Sequence, residues 1–206
     1  MKKYYSLWAV LFALATLTSC DKDNENEVMP EPVVEVKTVA DLQADAADTY
    51  TYYSLEDNKQ VAAADAKTAN WDIAFKGTSI LVNGGTSGPG KGGAQVVDGI
   101  FAEKKEAPET GYVTDAEGKP AIAASSDASW YHYTAMDAPQ HAILPIAGKV
   151  IMLKTAKGNY AKLEIQSYYK GNPDTTTPAF ASMATRPASK HYTFRYALQP
   201  SGSNKF

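Results

Sequence analysis

His132, Met136 and His141 are the side chains of this sequence whose types and spacing offer donor chemistry. They fall within ten residues, starting inside the aromatic run Trp130-Tyr131-His132-Tyr133. A thioether is a soft, neutral ligand, and an imidazole is a common metal ligand. A zinc site needs three or four ligands, and two histidines nine apart are too few without carboxylates that the sequence does not place. A further thioether, Met183, lies in the proline-bounded loop 171–187. Met152 lies inside an apolar run and reads as core, and His191 opens a strand and reads as a surface residue. No HExxH, no Cys–His site and no paired carboxylate stands in a recognisable context, and no Ser–His–Asp set is identifiable. The sequence therefore reads as a binding protein and not as an enzyme.

The other stretch that invites chemistry is Gly84 to Gly93, with six glycines in ten residues. Gly85 to Lys91 matches the first seven positions of a P-loop, but the eighth, which should carry the Mg²⁺-binding hydroxyl, is Gly92. Gly88-x-Gly90-x-x-Gly93 has the form of a dinucleotide motif. Both motifs need a helix directly after the loop to hold the anion at its N-terminus. Here Ala94-Gln95-Val96-Val97 reads as a strand. The glycines are instead expected where the backbone needs positive φ or close contact.

The chain begins with a segment that addresses it. Lys2 and Lys3 precede an apolar run, Leu7–Leu17, too short to span a bilayer comfortably. Leu17-Thr18-Ser19-Cys20 resembles the bacterial lipobox, so residues 1–19 are expected to be removed and Cys20 lipidated. Cys20 is the only cysteine, which rules out an intramolecular disulfide. Residues 20–37 read as the lipidated cysteine and an acidic tether, DKDNENEVMPEPVVEVK, too polar to order itself. An acidic run placed there resembles the export signal of surface lipoproteins in Bacteroidetes. That implies an outer-membrane protein, lipid-anchored and facing the cell surface. Loss of Lys2 and Lys3 leaves 18 basic against 23 acidic residues, a formal net charge of −5. No basic cluster remains to follow a nucleic-acid backbone, and that class of partner is discounted.

The elements that must position these residues are mostly strands. Residues 38–206 have the length of one domain with a sizeable core. Ala40–Asp48 reads as a short helix. Tyr50–Leu55, Trp71–Phe75, Ile80–Val82 and Ala94–Phe101 are β-prone runs bounded by turn residues. Residues 107–127 read as loop around a weak strand. Gly148–Thr155 and Tyr160–Tyr169 form a hairpin across the turn Ala156-Lys157-Gly158-Asn159. In its second strand Ala161, Leu163, Ile165 and Ser167 face the core, and Lys162, Glu164 and Gln166 face water. A last strand runs from His191 to Leu198, and the tail to Phe206 is expected to fray. The fold class is a mostly β, single antiparallel domain after a signal and a tether.

Taken together, these segments resemble the HmuY family, haem-binding lipoproteins of Bacteroidetes. The resemblance rests on five parts in order: the lipobox; Trp71-Asp72-Ile73-Ala74-Phe75; the loop from Asn83 through Lys91 to Ala94; the hairpin Gly148–Tyr169; and Tyr192-Thr193-Phe194-Arg195-Tyr196. It spans nearly all of residues 50–198. The resemblance implies a HmuY-like, hand-shaped β domain that holds haem between projecting loops. It also implies a haemophore-like role in haem and iron acquisition. Haem would come from host haem proteins or other carriers and pass to a TonB-dependent outer-membrane receptor. Family members hold the iron by two axial side chains, two His in some and two Met in others. One ligand falls shortly before the hairpin, where this sequence has Met136. The other falls between the segments like Gly111-Tyr112 and Trp130, a stretch that here holds no Met, His or Cys. His132 and His141 are the nearest substitutes, although His141, before an Ile-Leu-Pro run, also suits a structural role. Trp130, Tyr131 and Tyr133 would cover the porphyrin face. The alternative is a HmuY-like module for a non-haem ligand or a receptor partner.

Overall fold

A computed structural model describes residues 34–206, and within them eleven strands form three antiparallel sheets. The strands are β1 (Val36–Gln43), β2 (Thr51–Ser54), β3 (Lys59–Val61), β4 (Ile73–Lys76), β5 (Ser79–Val82), β6 (Gly93–Asp98), β7 (Tyr131–Tyr133), β8 (Ile143–Pro145), β9 (Lys149–Lys154), β10 (Tyr160–Tyr169) and β11 (Ser189–Gln199). A five-stranded sheet has the order β1-β11-β10-β9-β6, a four-stranded sheet β3-β2-β4-β5, and β7 pairs with β8 alone. Among the described residues there is one α-helical turn, α1, Pro178–Ala181. The leader, Cys20 and most of the tether lie outside the described residues.

The core follows from period-two alternation in the two large sheets. Ile73 and Phe75 of β4 and Ile80 and Val82 of β5 point to one side. They meet Ile151 and Leu153 of β9, Leu163 and Ile165 of β10, and Tyr192, Phe194 and Tyr196 of β11, all in one buried cluster. Phe75 anchors the contact, stacked on Phe194 at 5.5 Å and tilted against Tyr192 at 4.5 Å. Burying aromatic rings of this size supplies much of the stabilisation of such a sandwich.

Two polar side chains lock the turns at one end. Asp72 is 3% exposed and accepts hydrogen bonds from the N–H groups of Leu55 (2.7 Å), Glu56 (3.3 Å) and Ala156 (2.8 Å). One carboxylate thus joins the β2–β3 turn to the β9–β10 turn. Asn83 donates to the carbonyls of Thr68 (2.9 Å) and Trp71 (2.8 Å) and accepts from the Gly90 N–H (3.0 Å). The glycine loop wraps this amide. A Cβ at Gly88 would stand 2.1 Å from Asn83 Oδ1, and one at Gly92 2.5 Å from the Asn83 carbonyl oxygen. The loop then enters strand β6 and not a helix, which removes the basis for a nucleotide site.

Several local expectations are corrected. Ala40–Gln43 belongs to strand β1, not a helix, because Val39 and Leu42 pair with Phe194 and Tyr192 of β11. The same strand takes in Val36 and Lys37 from the end of the expected tether, opposite Ala197 and Tyr196. The outer face of β10 is not all wet. Lys162 is 4% exposed, with its ammonium held by the carbonyls of Phe101 (3.1 Å) and Lys104 (2.7 Å). The tail is pinned: Phe206 N–H donates to Lys105 O at 2.7 Å, and Gln199 Nε2 to Lys205 O at 2.7 Å.

Candidate functional site

The donor residues sit on the β7–β8 unit and the nine-residue connection between its strands. Tyr131 pairs with Pro145, His132 with Leu144 and Tyr133 with Ile143. Alternation along β7 puts Tyr131 inside, with its hydroxyl on Ala124 O at 2.6 Å, and His132 outside. Thr134, 5% exposed, closes the connection from within: its hydroxyl donates to Pro139 O (2.6 Å) and accepts from Ala142 N–H (2.9 Å). The His141 N–H bonds to Ala135 O at 2.8 Å, which narrows the tip to residues 136–140. Ala135 and His141 both adopt positive φ, 47° and 53°, so the tip turns sharply at its two ends. Ile143 N–H donates to the Tyr169 hydroxyl at 3.0 Å and ties the unit to the end of β10.

The named residues take different places in this frame. Trp130 is 1% exposed and lies in the core against Tyr131, Tyr168 and Tyr192, with its indole N–H on Thr78 O at 3.3 Å. Its ring supports the unit from beneath and presents no open face. His132 is exposed and bonds through Nδ1 to Asp127 at 2.8 Å. The Ser126 hydroxyl and then His132 hold the Asp127 carboxyl below its ordinary range. Met136 is 68% exposed at the tip. Tyr133 and His141 form a pair, phenol oxygen to Nδ1 at 2.7 Å with the rings stacked at 30°. When Nδ1–H donates to the phenol oxygen, Nε2 is left unprotonated, and a partner on one ring nitrogen is the usual way an imidazole is prepared to ligate through the other.

A second loop brings more donors to His141. The connection from β10 to β11 is organised by α1, where Thr177 caps the helix through its side chain and Pro178 occupies the first turn. Phe180 is buried edge-on against Tyr169 at 4.8 Å. Arg186 closes over it, with Nε on Phe180 O at 2.9 Å and the guanidinium 4.9 Å from the ring. Met183 is left 64% exposed between these anchors. His141, Tyr169, Met183, Arg186 and Ser189 line one shallow depression of about 170 Å³. The fold therefore joins His141, Tyr133 and Met183, keeps Met136 on the adjoining tip, turns His132 towards Asp127, and buries Trp130. Arg186 and Tyr169 carry no donor motif in the sequence. Among the described residues, no group of three His, Cys, Asp or Glu could hold a metal ion, and no helix is long and apolar enough to cross a membrane.

The described residues thus form an antiparallel β domain that carries exposed imidazole and thioether groups on two neighbouring loops. The family model HmuY protein matches residues 46–181, more than half of the chain, and the chain belongs to the HmuY family. Among solved structures it is similar to the apo HmuY analogue TFO of Tannerella forsythia, at 17% identity over 82% of this chain and 96% of that one, with a TM-score of 0.51. It is similar also to apo PinO from Porphyromonas gingivitis, at 16% identity over 81% of this chain and 97% of that one, with a TM-score of 0.52. At such identities these likenesses speak for the fold. No curated protein matches the chain.

Proposed function

We propose that this chain is a lipoprotein, anchored through Cys20 at the outer membrane and facing the cell surface, that binds haem and hands it to a TonB-dependent receptor. Family membership supports the haem reading. The observation that carries the site is the meeting of His141 and Met183 in one depression, with Tyr133 on His141 Nδ1 and Met136 on the adjoining tip. In this reading His141 Nε2 would be one ligand to the haem iron, and a thioether, from Met183 or Met136, would be the other. Tyr133 orients the imidazole, and Arg186 stands at the rim as a cation for a propionate. The depression is smaller than the roughly 300–1,000 Å³ of enclosing ligand pockets. Binding therefore requires loops 134–142 and 170–188 to part around the macrocycle. Absorption spectra of haem complexes of residues 26–206 and its variants test the ligand set. His141→Ala should abolish the six-coordinate spectrum, and one of Met183→Ala or Met136→Ala should remove the sulfur-to-iron charge-transfer band. Spectra unchanged by all three substitutions would refute the assignment.

A second reading has its own support. Within the segment 112–130, the bridges Ala94–Val113, Gly85–Asp115 and Ile80–Ile122 tie residues 113–122 to the sheets, and the segment contains no Met, His or Cys. A module for a non-haem ligand or a receptor partner fits that feature. Absence of haem binding, with retained capture of the receptor, would select it.

A further inference from the structure

The outer face of the five-stranded sheet carries a second site. A cavity of about 400 Å³ opens there, walled by Val36, Phe101, Ala197 and Phe206. That volume falls within the range of small-molecule pockets. It shares no residue with the depression at His141. Three cations line it, Lys105, Lys162 and Arg195, and no acidic residue does. Arg195 is paired with Glu164 at 2.7 Å. Among the described residues, Lys105 and Lys162 form no ion pair.

Lys162 is the telling member. Its side chain is drawn into the wall by the Phe101 and Lys104 carbonyls, and its ammonium lies 4.7 Å from the Phe101 ring centroid and 4.9 Å from that of Phe206. Two neutral carbonyls and two ring faces solvate the charge without neutralising it. A buried ammonium is costly unless it meets a counter-charge. Burial pushes its pKa down, and Lys105 and Arg195 push it further. The alternating strand pattern calls for a solvent-facing residue here, so the cation is held in an apolar wall by the turn at Phe101 and the chain end at Phe206.

We infer that this cavity binds an amphipathic anion, an acyl chain ending in a single carboxylate, with the head between Lys105 and Lys162 and the chain against Phe101, Ala197, Phe206 and Val36. The carboxylate supplies the charge that the wall lacks, and the apolar lining accepts the chain. The site is additional to the proposed haem site and does not depend on it.

The test is calorimetric titration of residues 21–206, which include every described residue, with dodecanoate and with dodecanol. Dodecanoate should bind one to one, and dodecanol about tenfold or more weakly, as loss of a charge-assisted contact implies. Lys162→Met should abolish the preference for the acid. Lys105→Glu, at an exposed position, should weaken dodecanoate by about tenfold or more and leave dodecanol unchanged. No dodecanoate binding, equal affinity for acid and alcohol, or an unaltered Lys105→Glu chain would each overturn the assignment. Haem titration of the Lys105→Glu chain separates the two sites. An unchanged Soret response keeps them distinct, whereas joint loss of haem and dodecanoate would make this the haem site and overturn the second ligand.

Discussion

Replacing Asp72 with Asn should destabilise the domain by about 2 kcal/mol. The carboxylate accepts two short bonds, from Leu55 and Ala156 at 2.7 and 2.8 Å, and one long bond from Glu56 at 3.3 Å. Its two oxygens face opposite turns, so an amide of the same shape satisfies only one of them. The other position then sets an NH₂ against a backbone N–H. One charge-assisted bond is worth about 1.5–3 kcal/mol. Burial holds the Asp72 carboxyl above its ordinary range although three donors pull it down, so desolvation offsets part of that gain and the lower half of the range applies. For a domain of this size, about 2 kcal/mol lowers Tm by roughly 4–8 °C. Urea unfolding followed by tryptophan fluorescence measures it directly, with Trp71 adjacent to the substitution. Glu56→Gln is the control: its Oε1 accepts from Thr155 Oγ1 and Asn159 Nδ2, an amide oxygen preserves both bonds, and the loss should stay below about 1 kcal/mol. A loss under about 0.5 kcal/mol for Asp72→Asn, or one equal to that of Glu56→Gln, would refute the reasoning.

The remaining predictions concern the loop and the buried phenols. Gly92→Ala should cost more than about 3 kcal/mol by chemical denaturation, because its Cβ would meet the backbone of Asn83 at 2.5 Å. Gly118→Ala, at φ +67° with no atom within 4 Å, should cost only about 1 kcal/mol. Burial raises the pKa values of Tyr168, Tyr192 and Tyr196 above the ordinary value of 10.0. Because the folded values exceed the unfolded ones, their contribution is whole below pH 10 and is lost as pH rises above it. Each contributes a slope of up to about 1.4 kcal/mol per pH unit, so the three together give about 4 kcal/mol per unit. Tyrosinate absorbance and loss of circular dichroism should then rise together in one steep alkaline transition. Tyrosinate formation well before unfolding would contradict that burial.

Where sequence and structure agree, the agreement rests on local signals. The hairpin of β9 and β10 and the inward residues of β10 follow from turn chemistry and strict alternation, and both are formed as expected. The glycine loop was legible as structural because Ala94–Val97 is a strand sequence. Lys162 reads as solvent-facing because what covers it, the Phe101 turn and Phe206, is distant in sequence and invisible to alternation. Ala40–Gln43 reads as helix by propensity, and pairing with β11 overrides it. Within the site, His132, Met136 and His141 are neighbours in the chain and could be named together. Trp130, in an aromatic run, reads as cover for a porphyrin face, whereas its burial against Tyr168 and Tyr192 is set by tertiary contacts. The approach of Met183 to His141 depends on how α1 folds the long loop, which no spacing in the sequence encodes.

The central claim is tested most directly by haem titration of residues 26–206, followed at the Soret band in air and under dithionite. The same titration is run on the chain carrying His141→Ala, Met136→Ala and Met183→Ala together. The account predicts a saturable, red-shifted band at one haem per chain. It should be tighter in the reduced state, because a thioether favours the softer ferrous ion, and absent in the triple variant. No band in either redox state, or an identical band in the triple variant, would contradict it.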